Sequence, residues 1–211
     1  MKIVLFGASG ALGQRILTET LARGHEVTAV VRDPATFDQT KENVKIVSGD
    51  VLDSSSVQRV ATGAGAVISA VGPGGGDPQL VRKAAHSLLY GLTRAGVKRL
   101  LVVGGAGSLE VAPEVQLLDT PEFPAAWKPI AVAHRDALDI YYTATGLDWT
   151  YFSPAAMIAP GERRGRYRTG SDQLLTDTQG QSHISSEDFA VAILDEVEQP
   201  QAIRQRVTVA Y

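Results

Sequence analysis

KIVLFGASGALG, residues 2–13, is the stretch whose reading decides the fold. Lys2–Phe6 has the apolar, β-branched character of a buried parallel strand. Gly7 then permits a tight turn, Gly10 lets backbone approach a bound group closely, and Gly13 allows a helix to pack hard against the strand. From Ala11 to Leu21 the apolar residues Leu12, Ile16, Leu17 and Leu21 follow a helical period. The turn therefore feeds a helix N-terminus, whose unpaired amides and positive dipole end suit a pyrophosphate. Three glycines alone would not decide this; their place after a strand and before a helix does.

Outward from that stretch, strands and helices alternate. Glu26–Val31 reads as a second strand, Val44–Val47 as a third, Ala66–Val71 as a fourth and Arg99–Val103 as a fifth. Ser54–Ala61 reads as a short helix, and a longer one opens at the N-cap Asp77 with Pro78 and runs to Ala95. This rhythm predicts an α/β fold, a Rossmann-type doubly wound parallel sheet with helices on both faces. Leu109–Pro129, with four prolines, reads as a surface loop able to cover a site. Ala131–Thr145 reads as a helix, Trp149–Phe152 as a sixth strand and Ser153-Pro154 as a break. Ser186 caps a helix to Val197, and Arg206–Ala210 is a last strand. One domain, 1–211, is expected, with 153–211 as a small extension on the substrate side.

The bulk composition narrows the classes. The chain has 211 residues, 44% hydrophobic and 20% charged, with a net charge of −3, which gives no whole-chain case for nucleic acid or an anionic membrane. It has no cysteine, so disulfides, thiolate metal sites and a Cys nucleophile are excluded. Its four histidines show no metal-ligand spacing, and no metal is expected. No apolar run approaches the ~20 residues of a membrane span, nothing in the first residues reads as a secretory signal, and the expected compartment is the cytoplasm. The arginines at 163, 164, 166 and 168, among three glycines, read mainly as a solvated loop or hairpin that could also guide an anionic flavin phosphate.

Ligands of open α/β sheets lie beyond the strands' carboxyl ends. The candidates there are Gly7, Ser9, Gly10, Ala11, Leu12 and Gly13 for the diphosphate, then Arg32, Asp50, Val51, Ala70, Val71, Gly72, Gly104, Gly105, Pro154 and Ala155 along the rest of a dinucleotide. At the second strand's end an acid would select NAD and an arginine NADP. Val31 stands where the acid is expected and Arg32 follows, so NADP(H) is preferred over NAD(H). Asp33, about 20 residues after Gly13, competes, but its place before Pro34 fits a turn initiator better. Asp50 suits either the adenine amino group, with Val51 on the ring, or an Asx turn.

GASGALG, VVRDP, GDVLD, AVISAVGP and VVGGAGS together resemble the atypical short-chain dehydrogenase/reductases, and most the NAD(P)H-flavin reductase branch, similar to biliverdin reductase B and NmrA-like NAD(P)-binding proteins. The later phrases GLDWTYFSPAAMIAPGERRGRYRTG and SHISSEDFAVAILDE look like that branch's C-terminal half. The superfamily's Tyr-x-x-x-Lys pair is missing: Ala131 and Arg135 fall near its place, and neither Tyr141 nor Tyr142 has a Lys four residues on. The resemblance implies hydride transfer to a flat conjugated acceptor, a flavin held as substrate or a quinone, with positioning supplying most of the rate. Ser108 and His134 are the polar candidates near the nicotinamide. Ser108 is either a carboxamide or substrate partner or a turn hydroxyl; His134 is either a proton donor or substrate-bonding group or a surface histidine. The competing class is a non-catalytic NADP(H) sensor; no nucleic-acid or membrane partner is expected, and an oligomer is compatible with the sequence.

Overall fold

The structure, a computed structural model, describes residues 1–37, 42–73 and 76–211. Its main sheet uses β1 (Lys2–Phe6), β2 (Glu26–Val31), β3 (Val44–Ser48), β4 (Ala66–Ser69) and β5 (Arg99–Val103), which match the predicted strands to within two residues at their ends. A small hairpin, β6 (Glu110–Ala112) and β7 (Val115–Gln116), follows, then β8 (Asp148–Pro154), β9 (Met157–Ala159), β10 (Arg168–Gly170), β11 (His183–Ser185) and β12 (Gln205–Ala210). The eight-stranded order is β10-β12-β8-β5-β4-β1-β2-β3, parallel throughout except for β10, which runs antiparallel to β12. β9 and β11 pair separately, in parallel. The fold is thus the doubly wound, Rossmann-like α/β sheet that the alternation predicts.

Five helices cross between strands: α1 (Ala11–Ala22), α2 (Ser54–Ala61), α3 (Leu80–Ala95), α4 (Lys128–Tyr142) and α5 (Ser186–Glu198). The two-residue period of β1 shows how the layers form. Ile3 and Leu5 face one way, into a core with Ile16 and Leu17 of α1 and Phe189 and Ile193 of α5. Val4 and Phe6 face the other way, into a core with Val57, Leu88, Leu92, Tyr141 and Trp149. A strand buried on both faces cannot alternate with polar residues, which is why KIVLF reads as continuously apolar.

The structure corrects several boundaries. β8 does not break at Ser153: Ser153 registers with Thr208 and Pro154 with Val209 of β12, so the proline ends the strand instead of preventing it. α3 begins at Leu80, because Asp77 first closes a turn, its carboxylate accepting from the Gln79 amide at 2.9 Å and its carbonyl from Leu80. α4 begins three residues before the expected Ala131, with Pro129 in its first turn, where its missing N–H costs nothing. The cap of α5 is Ser185, whose Oγ accepts from the Asp188 amide at 3.0 Å. The 109–129 segment is not featureless: besides the β6–β7 hairpin it holds two short 3₁₀ turns, Leu117–Asp119 and Ala125–Trp127.

The arginine-rich segment is also more structured than a solvated loop. Arg163 makes two bonds, 2.7 and 2.8 Å, to the buried carboxylate of Glu19 on α1. Arg164 lies over the Tyr211 ring, and Arg168, in β10, donates to the carbonyls of Thr176 and Tyr211. Glu19 also holds Arg23, which reaches Asp195 and Glu198 of α5, so these charges fasten α1, α5 and the loop together. Arg163, with help from Arg23, holds the Glu19 carboxyl below its ordinary pKa despite burial.

At the sheet's opposite end, away from the strands' carboxyl edge, Arg99 opens β5 inside the protein. Its guanidinium donates to Glu196 of α5 at 2.8 Å, to the Thr150 hydroxyl at 2.8 Å and to the Asp148 carbonyl at 2.8 Å. Glu196 in turn accepts from the amides of Gln201 and Ala202, which lead into β12. One buried ion pair therefore ties β5, β8, α5 and the approach to β12. Arg99→Met leaves the carboxylate without its cation and is expected to cost about 3 kcal/mol in urea unfolding. Arg99→Met combined with Glu196→Leu should recover much of that loss; an unchanged midpoint in the single variant would show that the pair is not a structural tie.

Candidate functional site

Strand order reverses between β1 and β4, and there the backbone is drawn together. Gly7 has φ +79°, and a Cβ on it would lie 2.5 Å from the Ala70 carbonyl oxygen. A Cβ on Gly13 would lie 2.0 Å from the Gly7 carbonyl, so α1 can pack this closely only on glycine. Gly10 differs: a Cβ there meets only the Gly7 carbonyl, at 3.3 Å. The fold itself thus requires Gly7 and Gly13, whereas Gly10 leaves open space in front of the loop. Gly10 is also the N-cap of α1 and carries no side chain to cap it, so the first-turn amides from Ala11 onward face outward beside exposed Ser9 and Gly10. A cradle whose open side a Cβ would fill, edged by amides, fits a diphosphate.

The second strand end opens on a polar cavity of about 590 Å³ lined by Arg32, Ser48, Gly49, Asp50, Ser56 and Arg59, among others. Arg32 is exposed, and its carbonyl accepts from the Ser48 hydroxyl at 3.2 Å. Asp33 accepts from the Ala35 amide at 3.0 Å, the turn-initiating geometry expected for it. Asp50 likewise forms an Asx turn, accepting from the Leu52 amide at 2.9 Å, while Val51 packs on the adjacent core. Ala70, Val71 and Gly72 follow β4 directly, with Gly72 exposed. Gly74 and Gly75 of the same run lie outside the described residues.

The carboxyl ends of β5 and β8 border an apolar cavity of about 680 Å³. Gly105, Ala106 and Gly107 form one wall and Pro154–Ile158 another; Ile130, Ala131 and His134 of α4 form the third. The strap from Leu117 to Trp127 closes the fourth side with Phe123 and Pro124, so the segment read as a site-covering loop does border a cavity. Gly104 and Gly105 are small for defined reasons: Cβ atoms on them would meet the Tyr151 ring at 1.9 Å and the His134 ring at 3.2 Å. Ala131, near the expected place of the superfamily tyrosine, lines this cavity, and Arg135 pairs with Asp136. A larger groove of about 930 Å³ lies between α3 and α4, away from every strand end named above.

The two expected catalytic residues stand in different surroundings. Ser108 is buried and is absent from the cavity wall; its Oγ is bonded to Arg206 at 3.0 Å, and Arg206 is held in turn by Asp172. It is a loop-fastening hydroxyl, the alternative that its sequence left open. His134 does stand in the cavity wall, but burial pushes its pKa down from 6.5 to about 4, so it is neutral near pH 7 and is no standing proton donor. The Tyr151 hydroxyl donates to the His134 carbonyl at 2.9 Å and lies 3.2 Å from His134 Nδ1. With the phenolic hydrogen so used, Nδ1 carries the imidazole's proton and donates to the phenol, leaving Nε2 as an acceptor. Tyr151 was missed in the sequence. Its signal was the alternation of β8, which puts Trp149 and Tyr151 on the α4 face.

A family model described as NAD(P)H-binding matches residues 7–200 of the chain. The uncharacterized protein YwnB of Bacillus subtilis is 40% identical over 212 residues, covering 99% of this chain and 98% of its own. A solved structure called a "putative epimerase", from Bacteroides thetaiotaomicron, is 44% identical with a TM-score of 0.93 over 100% of this chain and 96% of that one. Another, a "putative NADH-flavin reductase" from Streptococcus pneumoniae, is 36% identical with a TM-score of 0.90 over 100% of this chain and 99% of that one. Among the described residues no helix is long and apolar enough to cross a membrane.

Gly10→Val should leave the fold largely intact, because its Cβ meets only the Gly7 carbonyl, at 3.3 Å, a contact relieved by a shift of a few tenths of an ångström, yet abolish dinucleotide binding by filling the cradle. Calorimetric titration of the folded variant with NADPH decides it, and unchanged affinity would remove the phosphate-loop reading. His134 gives a stability signature as well. Its folded pKa lies below the unfolded one, so its contribution is full above about pH 6.5 and is lost as pH falls toward 4. Between pH 7.5 and 4.5, wild type should lose on the order of 2–3 kcal/mol more than His134→Gln in urea unfolding; parallel curves would contradict a buried neutral imidazole.

Proposed function

We propose, for a chain that belongs to the NAD(P)H-binding family, that it is an NADPH-dependent reductase of a flat conjugated acceptor such as a flavin, bound as a substrate. The observation that carries this reading is the apolar cavity at the carboxyl ends of β5 and β8, on the same sheet edge as the glycine cradle. We place the whole activity in one domain, with residues beyond 153 supplying one cavity wall.

In this reading the amides of the Ser9–Gly13 loop hold the diphosphate, and Arg32 takes the 2′-phosphate. Asp50 has its second carboxylate oxygen available for the adenine amino group while the first keeps the Asx turn, and Val51 packs on the ring. Ala70, Val71 and Gly72 track the dinucleotide across the switch point. Gly104, Gly105, Pro154 and Ala155 border the nicotinamide side. The bound cofactor supplies a hydride; the chain's own part is to align two flat rings and to exclude water around them. Because charge from such a transfer spreads through a conjugated acceptor, no dedicated acid is required, which agrees with a neutral His134 and with Ala131 in place of a tyrosine. His134 serves as a hydrogen-bond acceptor for the bound ring, held in that tautomer by Tyr151.

The support is fourfold: the family, the 36% identical neighbour named as a flavin reductase, the glycine cradle, and the apolar slot. An epimerase reading takes its support from the other neighbour's name. Of the two ionisable groups on the slot's walls among the described residues, His134 is held neutral and Glu122 lies exposed on the strap, so reduction is preferred.

Purified protein should oxidise NADPH when riboflavin is added, followed at the reduced-nicotinamide absorbance. His134→Ala should lower the rate modestly; a loss beyond roughly 10⁴-fold would exceed a typical acid–base contribution and defeat the positioning account. Tight NADPH binding with no oxidation across several flavins and quinones would favour the sensor instead.

Arg32→Ala should weaken NADPH roughly tenfold to a hundredfold and barely change NADH, as expected for loss of one charge-assisted contact. Equal weakening of both cofactors would overturn the 2′-phosphate assignment.

A further inference from the structure

We propose that the acceptor cavity selects uncharged flat ring systems and discriminates against phosphorylated ones, so that riboflavin or a neutral quinone is preferred over FMN. This deepens the reductase reading and rests on it. The observation is the charge content of the wall. Among the described residues that line the cavity, Glu122 is the one carboxylic acid and there is no lysine or arginine; Thr120 is uncharged and His134 is held neutral. Glu122 is exposed on the strap, beside the apolar residues Phe123 and Pro124 and near Trp127.

Four arginines that could answer a phosphate are engaged elsewhere, and neither Arg166 nor Lys128 lines the cavity. Arg163 is bonded to Glu19, Arg164 stacks on Tyr211, and Arg168 is bound by the carbonyls of Thr176 and Tyr211. Arg206, nearest in the chain fold to the Ser108 turn, is buried against Asp172 and Ser108. None of the four lines the cavity. The idea that the arginine-rich segment guides a flavin phosphate to this slot therefore finds no support in the placement of these side chains.

The consequence is physical. An isoalloxazine or naphthoquinone ring entering the slot gains apolar contact from Ile130, Phe123, Trp127 and Pro154 and gives up little hydration. A phosphate tethered to that ring has two places to go. Inside the cavity it finds no cationic side chain to offset its desolvation. At the mouth it remains hydrated but faces the Glu122 carboxylate, a like charge, and the bound cofactor's own phosphates add to the same field. The His134 ring adds no cation: with Nδ1 committed to Tyr151, its remaining nitrogen accepts a hydrogen bond and offers nothing to an anionic oxygen.

The test compares initial rates of NADPH oxidation with riboflavin and FMN, and with menadione and its sulfonated analogue, at low ionic strength. For each pair the uncharged acceptor should show the higher kcat/KM, by about fivefold to tenfold, with the gap in KM and shrinking in about 0.5 M NaCl as screening takes hold. Glu122→Lys, an exposed replacement that leaves the ring contacts in place, should bring FMN to parity with riboflavin or ahead of it. Quenching of flavin fluorescence on binding gives the same comparison as dissociation constants, independent of turnover. FMN equal to or better than riboflavin in wild type would overturn the selectivity while leaving the reductase standing. So would a ratio that Glu122→Lys does not move. Absence of oxidation and of binding with every acceptor would overturn the reductase reading, and this inference with it.

Discussion

The arrangement of this protein depends on how closely three backbone segments meet at the switch point of the sheet. Gly13 of α1 presses on the Gly7 carbonyl, and Gly7 presses on the Ala70 carbonyl that follows β4. Neither contact has room for a single methyl group. Because a parallel sheet brings neighbouring strand ends to a common edge, pinching β1 against β4 there draws the helix start, the β4 turn and the β5 turn into one line. The glycines thus act first on packing. The space in front of Gly10 is a by-product of that packing, and in the proposed reading it is this space that takes the diphosphate.

Stability and site are kept at opposite ends of the strands. The Arg99–Glu196 pair and its bonds to Thr150, Asp148 and Ala202 lie at the amino end of β5. Burial there lowers the pKa of Arg99 against the opposing pull of Glu196, which marks how much desolvation the pair carries. On the outer flank, Glu19, Arg23 and Arg163 fasten α1 to α5 and to the arginine-rich segment. With such ties elsewhere, the carboxyl edge can consist of glycine, alanine and proline turns with few polar bonds of their own. An apolar slot is stable there because the rest of the sheet does not depend on it.

The sequence made the sheet legible and the acceptor side only in part, for a physical reason. Parallel strands buried on both faces leave continuous apolar runs, and GASGALG has a local meaning that its neighbours confirm; both are short-range signals. The contacts that fix Ser108 and His134 are long-range. Nothing near Ser108 in the chain announces that Arg206, 98 residues later, will claim its hydroxyl. Nothing near His134 announces that Tyr151 will take Nδ1 and bury the ring. The arginines at 163–168 misled in the same way, because their partners Glu19, Thr176 and Tyr211 are read only once the fold closes. The starts of α3 and α5 slipped by one or two residues because Asp77 and Ser185 bond to amides inside turns that precede or begin the regular helix.

His134 and Tyr151 form a hydrogen-bonded pair at the cavity wall of a chain that lacks the tyrosine–lysine pair. A catalytic tyrosine works because a nearby cation lowers its pKa and leaves its hydroxyl facing substrate. Tyr151 has the opposite environment: burial raises its pKa, and its hydroxyl is spent on the His134 carbonyl and imidazole. It is therefore a positioning residue, and what it positions is a neutral ring in the cavity wall. His134, in turn, is kept from charging by the same burial. The wall that results offers one acceptor nitrogen, a half-turn of small residues and a mostly apolar strap that carries Glu122. A site so built can favour reactions whose charge the acceptor itself disperses, and it is poorly suited to those that need a proton delivered to a localised alkoxide. In the proposed reading, the choice of acceptor is set by shape and charge at the cavity mouth, where Glu122 stands.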